Sequence, residues 1–235
     1  MTKSAALMVV IAVAAIGGVS ALRRTSDVSP SLSAKAQAGH DVSDVLYQTN
    51  CGGCHGADGE GGAARGLIDS VYLSITNEGT MRLVTANGVP GTAMPAFSTE
   101  AGGALTDQQI DAVVRSIRTA PIRGDIVLDS TDAPPYSPST PGDPVRGRDA
   151  FATFCARCHG ADGRGGPGAG SIVDASYLAL VSDQSLRTSV IAGRPDLGAP
   201  DWRGNVPGRP MLPDDVSDVV AWLAAQRGTH DDDAR

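Results

Sequence analysis

The pentapeptide pattern Cys-x-x-Cys-His occurs twice in this 235-residue chain, as Cys51-Gly52-Gly53-Cys54-His55 and Cys155-Ala156-Arg157-Cys158-His159. Both lie within a longer internal repeat, which constrains the fold more than any other feature. CGGCHGADGEGG at 51–62 matches CARCHGADGRGG at 155–166. Downstream, Asp69, Tyr72-Leu73, Arg82 and Gly88 recur at Asp174, Tyr177-Leu178, Arg187 and Gly193. Each copy ends in an apolar-periodic stretch, Thr106 to Arg118 and Pro213 to Arg227, and in the second Val216, Val219, Val220 and Leu223 fall on one helical face. Thr106 as a capping side chain and Pro213 in a first turn predict where these helices start. Shorter helical stretches precede the cysteines at Val42 to Thr49 and Arg146 to Phe154, and no strand pattern is present. The expected fold is all-α, one unit built twice: helix, loop, short helices, loop, helix.

The segments between the repeats set the domain boundaries. Residues 1–24 hold an apolar run from Ala5 to Leu22 followed by Arg23-Arg24. Its length lies between a signal peptide, with Val19-Ser20-Ala21 as its small-residue site, and a retained anchor helix, which the Arg pair favours. Either reading exports the chain beyond residue 24. Residues 25–40 form a Ser/Ala-rich tether, 41–120 the first domain, 121–145 a linker with six prolines, 146–228 the second domain and 229–235 a polar tail.

All four cysteines are used by the two motifs, so they do not form a disulfide framework. Two thiols one helical turn apart can reach the two vinyl groups of one porphyrin, and the adjacent histidine then presents its imidazole to iron. Four-ligand zinc and a redox dithiol also use paired cysteines. Zinc leaves the immediate histidine in both copies unexplained, and the dithiol needs a preceding strand. The motif chemistry therefore points to two covalent haem c groups. Composition agrees: aromatic residues are 4% of the chain against 29 glycines and 15 prolines, leaving little large side-chain volume to fill two small cores. Gly56, Gly59, Gly160 and Gly163 fit tight turns after the histidines.

The sequence from 41 to 228 resembles the class I cytochrome c domains, whose pattern runs CxxCHG, then MPxF, then a closing helix. The resemblance implies two small helical domains, each wrapped around a haem held by His55 or His159 and a second axial ligand, usually Met. In the first domain Met94-Pro95-Ala96-Phe97 gives Met94, while Met81, within a helical stretch, is read as core. The second domain departs from the pattern. Aligning Pro195, Pro200 and Trp202 with Pro90, Pro95 and Phe97 puts Ala199 where Met94 stands. Met211, just before the last helix, is then the expected sixth ligand, and core packing of Met211 or ligation by His230 are the alternatives. The resemblance further implies a helix crossing at Gly147, Phe151 and Trp222. His40 and His230 are read as surface residues, and Arg82 and Arg187 either pair with haem carboxylates or decorate the surface.

A formal charge of -7 argues against nucleic acid and favours docking on a basic protein surface. The expected role is single-electron transfer without catalysis, on the periplasmic face of the bacterial inner membrane. Expected partners are a quinol-oxidising complex, a terminal oxidase or a photosynthetic reaction centre. The alternative is a haem enzyme, peroxidase-like or sulfur-oxidising, with a displaceable ligand in the second domain.

Overall fold

The computed structural model describes residues 43–121 and 133–228. The apolar N-terminal run, the tether, His40 and His230 lie outside the described residues. Among those described, no helix is long and apolar enough to cross a membrane.

The first unit comprises α1 (43–50), α2 (Gly52–His55), α3 (Ser70–Ile75), α4 (Glu78–Asn87) and α5 (Asp107–Thr119). The second repeats it as α6 (Pro144–Phe154), α7 (Ala156–His159), α8 (Ala175–Leu180), α9 (Asp183–Ala192) and α10 (Pro213–Ala225). No strand occurs among the described residues; Ser98–Leu105 and Arg194–Ala199 form isolated bridges. The starts follow local chemistry. Asn77 and Ser182 cap α4 and α9, and Asp69 and Asp174 cap α3 and α8. Thr106 and Gln109 form a capping box on α5. At α6, Asp143 accepts from the Val145 and Arg146 amides and Pro144 takes the first position, so the helix begins ahead of Arg146, inside the predicted linker.

In the second unit α6 crosses α10 at Gly147, where a Cβ would come within 2.0 Å of the Asp218 carbonyl oxygen. Only glycine permits that approach. Phe151 and Trp222 close the crossing with ring centroids 4.3 Å apart. Arg146 spans it to Asp218 at 2.7 Å, and Asp218 also accepts from the Asp143 amide at 2.6 Å. Burial alone would raise the Asp218 carboxyl, but these donors hold it below the usual carboxylate range.

Each unit has its own apolar core, one around Ile110, Val113 and Val114, the other around Phe151, Val216 and Val219. The cores are not independent. Val71, Tyr72 and Ile75 of α3 pack into the second cluster, and α3 touches α9. Ala133, in the middle of the linker, joins the same cluster.

Candidate haem-attachment sites

In both copies the helix before the motif ends at the first cysteine and restarts as a single turn. The Cys54 and His55 amides donate to the Cys51 carbonyl at 3.1 and 3.0 Å, and Cys158 and His159 do the same to Cys155 at 3.1 Å. Two thiols and an imidazole thus share one turn. No cysteine is in a disulfide; Cys51 is buried and Cys155 half-buried, while Cys54 and Cys158 are exposed. Burial pushes the Cys51 thiol up to about 11 and the Cys155 thiol up to about 12, each reinforced by its partner sulfur. A catalytic thiolate calls for the opposite shift, which neither of these two cysteines shows. Nor do three His, Cys, Asp or Glu side chains converge as a zinc site among the described residues.

The loop after each motif orients the histidine. His55 Nδ1 lies 2.8 Å from the Arg65 carbonyl and His159 Nδ1 3.1 Å from the Gly170 carbonyl. A carbonyl only accepts, so Nδ1 carries the proton and Nε2 is left with its lone pair free for a metal. Burial, followed by the nearby Arg65 and Arg194 charges, lowers the His55 pKa despite the opposing hydrogen bond, which keeps the ring neutral as ligation requires. The loops are clamped alike, by Gly61 N–H on the His55 carbonyl and Gly165 N–H on that of His159, both at 2.9 Å. The positive φ angles of Gly56 and Gly160, 84° and 79°, make the turn that allows this. One pair of thiols, one oriented Nε2 and a loop held off it form the donor set of haem c, and the residues present fit that group.

The second-ligand region differs between the copies. A Cβ on Gly88 would strike Pro95 and the Met94 carbonyl, and one on Gly193 would strike Pro200 and the Ala199 carbonyl. The Val89 and Arg194 amides donate to the Met94 and Ala199 carbonyls, each at 3.0 Å. Met94 and Ala199 are therefore structural equivalents, and the second copy has no sulfur there. Met94 is half-buried, whereas Met81 lies in the first core. Met211 is only 2% exposed, held by its amide's 2.9 Å bond to the Trp202 carbonyl. Its Sδ lies 3.8 Å from Asn205 Nδ2, in the cluster against which Cys155 packs.

The two arginines singled out for carboxylate pairing do other work. Arg82 pairs with Asp107 and Asp111 on α5 at 3.2 and 2.7 Å. Arg187, buried, donates to the Pro135 and Tyr136 carbonyls and to Ser217 Oγ, tying the linker to α10. Sequence reasoning passed over Arg65. Its guanidinium lies 4.7 Å above the Tyr72 ring, and its Nε and Nη1 have no hydrogen-bond partner and less than 1 Å² of exposed surface each. The repeat carried a signal: Arg65 stands where the second copy has Gly170.

Residues 40–115 match the family model described as cytochrome c oxidase, cbb3-type, subunit III, and residues 144–226 match the model described as cytochrome c. The chain is similar to the cbb3-type cytochrome c oxidase subunit FixP of Sinorhizobium medicae (strain WSM419), 29% identical over 157 residues, covering 60% of this chain and 46% of that protein. It is also similar to the subunit CcoP of Azospirillum sp. (strain B510), 29% identical over 168 residues, 63% of this chain and 51% of that one. The chain spans about half the length of these curated relatives. Among solved structures, the reducing HAO-like protein complex of Kuenenia stuttgartiensis overlaps with a TM-score of 0.46 at 15% identity, covering 79% of this chain and 96% of that one.

Proposed function

Because the chain belongs to the class I c-type cytochromes and carries two covalent haem c groups, one per domain, we propose that it is the electron-delivering subunit of a cbb3-type terminal oxidase. The observation that carries this reading is the match of residues 40–115, most of the first domain, to the cbb3 subunit III model. The relatives' names point the same way.

Haem c supplies reversible one-electron chemistry at each site. Cys51 and Cys54 would hold the first group by thioether bonds, with His55 as a ligand through Nε2 and Met94 as the second protein ligand. Cys155, Cys158 and His159 would do the same in the second domain, with Met211 as its second protein ligand. A thioether ligand favours ferrous iron and so a raised potential, suited to feeding an oxidase. Met211 is the sole methionine of residues 146–228, and as a ligand it would close the second site, which favours conduction over a site that exchanges ligands for catalysis. The domains face the periplasm in this reading, anchored by residues 1–24.

The test is gentle solubilisation of the native membrane. The chain is expected to purify with a haem-copper oxidase and to remain in the membrane fraction through a high-salt wash. Purification alone, or with a quinol-oxidising complex, would overturn the oxidase assignment.

A further inference from the structure

The two domains of this chain meet through two different faces. The first domain offers α3: Val71 and Ile75 pack in the second core rather than in their own, and Tyr72 reaches both. The second domain receives it on α9, and Arg194 Nη2, just beyond that helix, donates to the Gly62 carbonyl at 2.9 Å. Such a contact is heterologous, because the surface that inserts differs from the surface that accepts. Two like units joined in this way leave one inserting face and one accepting face unused.

Both faces are open among the described residues. On α8, the counterpart of α3, Leu178 alone is buried. Tyr177 and Leu180, which stand where α3 has the half-buried Tyr72 and Ile75, are 36% and 56% exposed. On α4, the counterpart of α9, Leu83 is 63% exposed, whereas Thr188 at the same position of α9 is buried. A lone exposed leucine is ordinary on a protein surface. These three side chains lie on the counterparts of the two helices that meet.

Charge and composition say what fits there. Where the second domain has the paired Arg194 and Asp196 beside α9, the first has Val89 and Gly91, so its accepting face lacks that ion pair. Residues 146–228 hold nine acidic and nine basic side chains, while residues 41–120 hold nine and four. The second domain of one copy therefore approaches the acidic first domain of another without net repulsion. Asn87 in place of Ala192 makes this contact less apolar than the one inside the chain, and so weaker.

We propose that the α8 face of one copy docks on the α4 face of a second copy, a head-to-tail contact that repeats between chains the α3–α9 contact within one. It sets the second attachment motif of one copy beside the first motif of the next, in the order the two have within the chain.

The test is the oligomeric state of the full chain in detergent, read by sedimentation over a concentration series, with Leu180→Asp and Leu83→Asp. The wild type is expected to associate weakly, its larger species growing with concentration. Each variant alone should stay monomeric. An equimolar mixture of the two should form a dimer and nothing larger, because Leu83→Asp keeps a sound α8 face and Leu180→Asp a sound α4 face. A wild type that stays monomeric up to about 1 mM would overturn the proposal. Association lost in Leu180→Asp but untouched in Leu83→Asp would also overturn it, since α8 would then meet some other surface, and so would a mixture that fails to recover the dimer. A monomeric wild type whose electron exchange with a separate cytochrome c slows in Leu180→Asp would give the face to that partner instead.

Discussion

Met94 and Met211 reach their places by different routes, and their replacement should give different results. Met94 sits in a half-buried loop, braced by the Val89 amide on its carbonyl and by Thr92 Oγ1 on its amide at 3.2 Å. Met211 is buried, its amide donating to the Trp202 carbonyl, with Asn205 beside its sulfur. Met211→Ala is expected to abolish one of the two ferric Met–iron charge-transfer bands and to lower the potential of one haem only; an unchanged spectrum would refute the assignment. Asn205→Leu should lower the same potential by a smaller amount, because losing an N–H donor leaves the thioether a stronger electron donor to ferric iron. Met81→Leu should leave both bands, since Met81 belongs to the first core. At this scale the cysteines and histidines were legible because covalent spacing defines them. Arg65 was not, because its meaning depends on which of its neighbours are already paired.

The α6–α10 crossing is the best-defined contact between elements, and two substitutions probe it separately. Gly147→Ala drives a methyl into the Asp218 carbonyl and should cost about 3 kcal/mol, read as a lowered Tm with unchanged spectra. Asp218→Asn removes the anion that holds Arg146 and the Asp143 amide. The folded-state pKa of Asp218 is depressed, so its contribution is present above the unfolded value of about 4 and lost as pH falls through the folded one. The Tm gap between wild type and Asp218→Asn should therefore be full at neutral pH and close in acid; a gap that widens in acid would contradict the ion-pair account. The glycine and the two aromatics of this crossing were readable from the family pattern. The ion pair was not, because Arg146 and Asp218 lie in different elements and nothing local joins them.

For the whole molecule, Cys51 packs in the first core and Cys155 against the second, which sets each attachment motif at the edge of a small core. Domains of this size bury a limited share of their surface, so folding should depend on haem attachment, as it does on metal in small metalloproteins. Expression without cytochrome maturation is expected to yield an insoluble or degraded chain; a soluble, helical, colourless product would contradict this. The packing of Val71, Tyr72 and Ile75 into the second core makes the pair of domains one unit rather than beads on a linker. Loss of the first haem alone, in Cys51→Ser with Cys54→Ser, should therefore lower the unfolding temperature of the second domain as well.

Everything carried by spacing along the chain was readable from the sequence. The duplicated unit, the all-α character, the attachment residues and the equivalence of Met94 with Ala199 all rest on offsets, periods and caps a few residues long, and such local chemistry is written in order. Packing in three dimensions decided which charges are answered and which are not. It assigned Arg82 to two aspartates on α5 and spent Arg187 on the linker. It left two nitrogens of Arg65 without hydrogen bonds between two domains whose meeting no local signal encodes. The physical reason is that the cost of a buried charge is set by the groups that surround it in space. Around Arg65 those groups come from both copies of the repeat. The two Cys-x-x-Cys-His motifs look alike along the chain, and the fold makes them unequal.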